Sequence, residues 1–177
     1  KIIQYPLVQE YLAQMRSEYA AMMAGAMDLV HLQDRFDLGH DDDGDRAYLR
    51  VAMNLNKYRT AVSAGEIIRQ SLELLGGNGA IESFSVIPRM LRDNVVYENW
   101  EGTHNTLMMQ VLRDMGRLGV GKPFLDGVAQ RFQSLAGGAL EPWAAKGVAE
   151  VQALEGQLTE LATVDPAVAS LRMRPLA

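Results

Sequence analysis

The chain has 177 residues, of which 48% are apolar and 22% charged, and its net charge is −5. Such a chain is long enough to bury a core, and its acidic balance argues against general affinity for nucleic acid or anionic membranes. The lack of cysteine excludes disulfides, thiol catalysis and cysteine-ligated metals. No apolar run approaches the roughly 20 residues of a membrane span, and no signal peptide is visible. We expect a cytoplasmic protein.

The chain opens with a predicted long helix. Apolar side chains recur every three or four residues from Leu7 to Val30, which is the spacing of one helix face. Pro6 suits the first turn, and Gly39 is a plausible stop. Because the chain begins in this helical rhythm and without a methionine, we expect it to belong to a longer protein.

A second long helix follows the linker HDDDGD at 40–45, which offers an aspartate N-cap. Apolar residues from Tyr48 to Leu75 repeat with helical spacing and end at GGNG, 76–79, a strong helix stop. Each helix is about 30 residues, or roughly 45 Å long. Long helices joined by short links predict an antiparallel helical bundle, and with no convincing strand in the sequence we expect an all-α fold.

Shorter helices are predicted after the glycine turn formed by GGNG, 76–79. The third runs from Ser85, its cap, to Tyr97, with Pro88 in its first turn. The fourth begins near Thr103 and ends at 116–123, and its predicted inward residues are Leu107, Met108, Val111, Leu112, Met115 and Leu118. Two further helices are predicted at 123–136 and 140–162, and Asp165-Pro166 opens a last short one. The ten methionines lie mostly at core spacing and are predicted to fill the core.

No motif predicts a metal site. If Gly44 were the invariant glycine of a calcium-binding EF-hand loop, ligand positions 1 and 12 would fall on Gly39 and Arg50. The three histidines, His31, His40 and His104, have no spacing typical of a ligand pair on a helix.

Two short stretches leave alternatives open. The glycines of GGNG would let backbone amides approach a phosphate, but the turn follows a helix and matches no phosphate-loop motif, which favours a helix stop. Glu101 precedes a predicted helix start, where the helix dipole stabilises a carboxylate by about 0.3–1 kcal/mol. Trp100 beside it could instead provide the apolar surroundings of a general base. These residues alone do not decide between the two interpretations.

Residues 72–107 resemble the C-terminal helical domain of the acyl-CoA dehydrogenases. That family carries a Leu/Phe-Gly-Gly-x-Gly turn, a short helix with Arg-Asp and an aromatic-Glu-Gly-Thr/Ser element, here at 75–79, 92–93 and 100–103. The resemblance covers roughly 1–118 and implies an antiparallel four-helix bundle there. Residues 119–177 are predicted to be additional helices packed on the same domain. The pattern after Glu101 is more similar to the subgroup with a long C-terminal extension that includes a bacterial alkylation-response flavoprotein.

The resemblance implies an FAD-dependent oxidoreductase that acts on acyl-CoA thioesters in fatty acid metabolism. Glu101 would remove the α-proton of the substrate while a hydride passes from the β-carbon to FAD, and some relatives place this base upstream instead. The other implied contacts are Trp100 and Gly102 with the substrate, Thr103 and Asn105 with FAD, and Gly76, Gly77 and Gly79 with the FAD of a neighbouring subunit.

Several further expectations follow from the resemblance. An electron-transfer partner would accept electrons from the reduced flavin, and the subunits would form a homodimer or homotetramer. The family's N-terminal helical domain and middle β-domain are not in this chain, so we expect the isolated chain to hold little FAD and to be inactive. Glu73, Asn105 and Met108 depart from the residues common in the family at these positions.

The alternative hypothesis is a non-catalytic helical module for oligomerisation or for binding nucleic acid or protein. Residues 117–177 contain six Lys/Arg and six Asp/Glu. This neutral balance argues against a DNA-binding surface in the extension.

Overall fold

A computed structural model describes residues 1–40 and 42–173 of the protein. Within this part of the chain every regular element is helical, which confirms the predicted all-α fold. A 3-10 turn, Ile2–Gln4, precedes the first α-helix, and a second 3-10 segment, Gly76–Ala80, follows α2. The α-helices are α1 (Pro6–Asp37), α2 (Asp43–Leu75), α3 (Ile87–Asn99), α4 (His104–Arg117), α5 (Gly121–Gln133), α6 (Glu141–Leu161) and α7 (Pro166–Met173). None of these described helices combines the length and apolar character needed to cross a membrane.

The predicted signals at three helix ends are confirmed. The Asp42 carboxylate accepts a hydrogen bond from the Asp45 N–H at 2.7 Å, so the linker does supply the aspartate cap of α2. Asp41, in the same linker, lies outside the described residues. Leu75 ends α2, and Gly76 then takes a φ of +59°. The Asp165 carboxylate accepts from the Ala167 N–H at 2.8 Å at the start of α7.

The predicted cap of the third helix is wrong by one residue. α3 begins at Ile87 and Val86 holds the N-cap position, so Ser85 is not the cap. The Ser85 hydroxyl accepts a bond from the Ile87 N–H at 3.4 Å and donates to the Gly79 carbonyl at 3.5 Å. Ser85 therefore ties the start of α3 to the glycine turn.

The chain forms two compact units. One contains Lys1–Asp28 and Asn56–His104, and the other contains Leu29–Leu55 and the chain from Asn105 onward. α1 and α2 each contribute to both units. The predicted division near residue 118 stays a prediction.

In the first unit α1 and α2 run antiparallel. The Ser71 hydroxyl donates to the Met15 sulfur at 3.5 Å, and further along α1 the Glu18 carboxylate accepts from Arg59 at 3.0 Å and from Ser63 at 3.2 Å. Later residues of α1 therefore contact earlier residues of α2, as expected for antiparallel helices. Ser63 is fully buried, and its bond to Glu18 avoids the cost of burying an unpaired hydroxyl.

In the second unit α4 packs through one face. Leu107, Met108 and Val111 are buried, as predicted. Leu118 follows the end of the helix and is 59% exposed, so its predicted inward position is wrong.

A buried carboxylate links α4 to α2 in this unit. The Asp114 side chain is only 4% exposed, and it accepts hydrogen bonds from Arg50 Nε at 2.7 Å and from Arg113 Nε at 3.1 Å. Two guanidinium groups compensate for the removal of this charge from water.

α5 and α6 pack against each other in antiparallel directions. Lys122, near the start of α5, lies 3.4 Å from Glu155 near the end of α6. At the opposite ends, Gly147 lies against the Phe132 ring, and a Cβ added to Gly147 would be 2.3 Å from Phe132 Cδ1. Only glycine allows this approach of helix backbone to ring.

The prediction that methionines fill the core is wrong for half of them. Five are 40–55% exposed: Met23, Met27, Met53, Met90 and Met109. In the first unit Tyr19, Met23 and Met27 follow one another at intervals of four residues and form an exposed stripe on α1. Helical spacing of apolar residues predicts that a helix face is covered, but it does not indicate whether the cover comes from this chain or from another one.

The contact between α5 and α6 can be tested with two glycines of the same helix. We expect Gly147→Ala to lower the free energy of unfolding by about 1–3 kcal/mol, because Phe132 must move. No atom lies within 4 Å of a Cβ added at Gly156. Gly156→Ala should therefore raise the free energy of unfolding by up to about 1 kcal/mol, because alanine has a better helix propensity than glycine. Urea denaturation measures both, and equal effects would contradict the packing.

The buried carboxylate makes a second prediction. Asp114→Ala should cost about 2–4 kcal/mol of unfolding free energy, because it leaves two arginines without their shared acceptor. Asp126, which pairs with Lys122 on α5 and is half exposed, is the control. Asp126→Ala should cost less than about 1 kcal/mol. A loss at Asp114 as small as that at Asp126 would refute a structural role for the arginine pair.

Candidate functional site

The connection between α3 and α4, residues 100–103, has an unusual backbone. The Trp100 N–H closes α3 by donating to the Val96 carbonyl at 2.8 Å, and Trp100 itself is extended. The next two residues have positive φ, +54° at Glu101 and +118° at Gly102. In the described part of the chain, Glu101 is the only non-glycine residue with positive φ.

The left-handed conformation of Glu101 carries a cost. For an L-residue it is about 1–2 kcal/mol less favourable than the right-handed one, and glycine would avoid this cost. Such backbone outliers cluster at functional sites, where the surrounding structure enforces them. The backbone conformation of Glu101 therefore makes it a candidate functional residue.

Lys57, on α2, binds the backbone on both sides of Glu101. Its ammonium group donates to the Glu98 carbonyl at 3.2 Å and to the Gly102 carbonyl at 2.8 Å. Partial burial lowers the pKa of Lys57, while the negative charges of Glu101 and Glu98 act in the opposite direction. The turn therefore has a cation next to the candidate base.

A layer of polar side chains supports the end of α3. Asn94 is buried, and its amide donates to the Glu98 carboxylate at 2.7 Å and to the Ala61 carbonyl of α2 at 3.3 Å. A Cβ added at Gly65 would lie 2.8 Å from Glu98 Oε1. The close approach of α3 to α2 at this glycine fixes the residues just before Glu101.

Aromatic pairs lie on both sides of the turn. The Trp100 and Tyr97 rings meet edge to face with centroids 5.4 Å apart, and His104 meets Tyr58 of α2 in the same way at 5.0 Å. Trp100 remains 51% exposed. It presents an apolar surface beside Glu101 to which an apolar ligand could bind.

Glu101 lies close to the start of α4, as the sequence predicts, but before its first turn. α4 begins at His104, directly after Thr103, so Glu101 lies outside the first turn, to which the dipole effect is largely confined. The first-turn amides of a helix lack intrahelical acceptors and suit phosphate or other anions. Thr103 directly precedes α4, and Asn105 is its second residue.

The glycine turn does not lie with the Glu101 turn. It meets the beginning of α3 through Ser85, whereas Glu101 follows the end of that helix. The 13 residues of α3 separate the two by about 20 Å.

The glycines of this turn differ in their surroundings. A Cβ added at Gly79 would lie 2.6 Å from the Leu72 carbonyl, so packing on α2 already explains that glycine. Gly76 and Gly77 have nothing within 4 Å of an added Cβ, which leaves open space for a ligand.

Asn105 belongs to the second unit. It lines a groove of about 900 Å³ that also includes Thr106, Arg113 and Arg117. An amide together with two guanidinium groups is a set of donors that suits a phosphate-bearing ligand.

Sequence reasoning missed Lys57. The available signal was the position of Lys57, four residues before Ala61 and eight before Gly65, in line with these small buried residues on one helix face. A lysine on such a face indicates an ammonium group with buried partners, but those partners lie 41 and 45 residues further along the chain.

The charges around Lys57 make a titration prediction. Because Glu101 raises the Lys57 pKa, Glu101→Gln should lower that pKa further below its ordinary value of 10.5. NMR of the Lys57 side chain across alkaline pH measures this, and Glu150→Gln on α6 is the control that should change nothing. An unchanged or raised pKa in Glu101→Gln would contradict the arrangement.

The sign of the linked stability effect follows from the lowered pKa. Between the native pKa of Lys57 and 10.5, the unfolded chain binds more protons than the native chain. The contribution of Lys57 to stability should therefore rise with pH in this window, and Lys57→Met should abolish that rise.

Comparison with known proteins identifies the family. Residues 1–116 match the family model described as acyl-CoA dehydrogenase, C-terminal domain. Acyl-CoA dehydrogenase family member 11 of Caenorhabditis elegans is 29% identical over 109 residues, which are 62% of this chain and 18% of that protein. Putative acyl-CoA dehydrogenase AidB of Escherichia coli (strain K12) is 27% identical over 116 residues, 66% of this chain and 20% of that protein. The chain thus spans about a fifth of the length of these relatives.

A solved structure described as Bd2924 apo-form shares the fold. It matches with a TM-score of 0.78 and 24% identity, over 98% of this chain and 31% of that one. The family model covers 116 of the 177 residues, including the glycine turn and the turn that carries Glu101. The resemblance seen in the motifs is confirmed: the chain belongs to the acyl-CoA dehydrogenase C-terminal domain family.

Proposed function

We propose that this chain is the C-terminal part of an FAD-dependent oxidoreductase that desaturates acyl-CoA thioesters, with Glu101 as its catalytic base. The observation that carries the proposal is the left-handed backbone of Glu101, in a turn that the family model covers. A carboxylate kept at a position that suits glycine needs a reason beyond folding.

The reaction assigns a role to each part of the turn. Glu101 would accept the proton from the α-carbon, and the electron pair of that C–H bond would form the new double bond as a hydride leaves the β-carbon. When bound, FAD supplies the acceptor for this hydride. The Glu101 N–H would donate to the thioester oxygen, which becomes negative as the proton leaves. Trp100 and Gly102 would contact the acyl-CoA.

The chain offers groups that fit FAD. Thr103 and Asn105 are exposed around the start of α4, where helix amides favour anionic oxygens. Gly76 and Gly77 have open surroundings at the other end of α3. The separation of about 20 Å along α3 supports a role for this glycine turn toward the FAD of a neighbouring subunit. Gly79 would contribute through the shape of the turn, because its own surroundings are filled by α2.

The chain alone leaves the candidate base open to water. Glu101 and Trp100 are both exposed, whereas proton abstraction next to a thioester requires a water-excluding site. We infer that residues outside this chain cover the turn, and that the isolated chain holds little FAD and does not turn over. The complete protein would pass its electrons to an electron-transfer partner and assemble as a homodimer or homotetramer.

A second candidate function is a non-catalytic assembly module. The exposed stripe of Tyr19, Met23 and Met27 on α1 favours an interaction surface in the first unit. Such a surface fits an enzyme subunit as well as a module without catalysis. Desaturation of an acyl-CoA by the flavin-loaded protein that contains this chain distinguishes the two functions.

Replacing the base tests the proposal. In that flavin-loaded protein, Glu101→Gln should lower kcat for acyl-CoA-dependent dye reduction by at least about 10²–10⁴-fold, because an amide does not accept the proton. The flavin absorbance per protein should stay unchanged. The matched control, Glu150→Gln on α6, should retain full activity. Retained activity in Glu101→Gln would place the base elsewhere.

A further inference from the structure

We propose that Lys57 is a positioning residue for Glu101: its ammonium group holds the carbonyls on both sides of Glu101 and thereby keeps the glutamate in its left-handed conformation. This inference rests on the proposed function of Glu101. Its first step, the control of the turn by Lys57, is a property of this chain alone.

The two acceptors explain why an ammonium group is suited to this position. The Glu98 carbonyl belongs to the last turn of α3, where carbonyls have no intrahelical donor and where a cation is favoured by the helix dipole. The Gly102 carbonyl lies beyond the turn, 2.8 Å from the same nitrogen. One cation therefore caps α3 and at the same time fixes the far side of the strained residue.

The bonds of Lys57 go to backbone oxygens rather than to the Glu101 carboxylate. A lysine paired directly with the base would hold it away from a substrate and occupy its lone pairs. Lys57 instead constrains the backbone from which the Glu101 side chain and N–H project. Charge-assisted bonds of this kind are stronger than neutral ones and can offset the strain at Glu101.

The surroundings of Lys57 keep its ammonium group in place. Its side chain is half-buried on α2, close to the point where Gly65 allows α3 to approach. The Asn94 amide holds the Glu98 side chain at 2.7 Å, so the carbonyl that Lys57 binds sits on a fixed residue. Burial lowers the pKa of Lys57, and the negative charges of Glu101 and Glu98 partly offset this effect.

The first experiment uses the 177-residue chain and follows the Glu101, Gly102 and Thr103 amides by NMR. In Lys57→Met we expect shifted signals and hydrogen exchange faster by about tenfold or more at these amides, because the turn loses both bonds. Lys57→Arg keeps a donor and a charge and should retain part of the protection. Lys146→Met on α6, a lysine paired only at the surface, is the matched control. Unchanged exchange at the turn in Lys57→Met would overturn the proposal.

A second variant separates positioning from general stability. Glycine adopts positive φ without strain, so Glu101→Gly removes the conformational cost that Lys57 offsets. We expect Lys57→Met to lower the melting temperature less in the Glu101→Gly background than in the wild type. If Lys57→Met alone fails to fold, recovery of folding in the double variant supports the proposal. Additive losses, or a double variant as unfolded as the single one, would overturn it.

The third measurement connects the turn to catalysis in the flavin-loaded protein. Lys57→Met should misplace the base and lower kcat by about 10–100-fold, with a smaller change in KM. Lys57→Arg should recover part of this loss. If Lys57→Met leaves kcat unchanged while Glu101→Gln abolishes it, the positioning role fails and the proposed function stands. If the wild type desaturates no acyl-CoA, the proposed function fails, and the exchange measurements still decide what Lys57 does to the turn.

Discussion

The turn between α3 and α4 depends on one ammonium group. Lys57 reaches from α2 to the carbonyls of Glu98 and Gly102, and the residue enclosed between them, Glu101, has a backbone conformation that glutamate rarely adopts. Without a donor at this point, the last carbonyls of α3 would turn to water and the strain at Glu101 would have no compensation. The position of the candidate base is therefore set by a residue far away in the sequence.

Helix α2 supplies polar side chains to both compact units. In the first unit Lys57 binds the end of α3, and Ser63 binds Glu18 of α1. In the second unit Arg50 binds the buried Asp114 of α4. Each contact satisfies a group that would be costly to leave unpaired, and each requires one particular alignment of the two helices. These hydrogen bonds therefore help to fix how each pair of helices is aligned along its length. Apolar packing alone would allow more than one alignment.

Most of the fold could be predicted because its signals are local. Helical spacing gave the elements, and Pro6 and Asp165 lie where helix starts are found. The motif located the turn that carries Glu101. The positive φ of Glu101 and the contact of the turn with Lys57 could not be predicted, because both depend on residues distant in sequence. The exposed methionines were misassigned because spacing does not reveal what covers a helix face. Ser85 was misassigned because its hydroxyl binds the glycine turn as well as the helix start.

The proposed function requires the left-handed turn to present the Glu101 carboxylate to the α-carbon of an acyl-CoA. The most direct measurement is an experimental structure of the flavin-containing protein with a bound acyl-CoA thioester. We expect a Glu101 carboxylate oxygen within about 3–3.5 Å of the α-carbon, with Glu101 still at positive φ. An acyl-CoA bound with Glu101 turned away from it, or with another carboxylate at its α-carbon, would rule out Glu101 as the base.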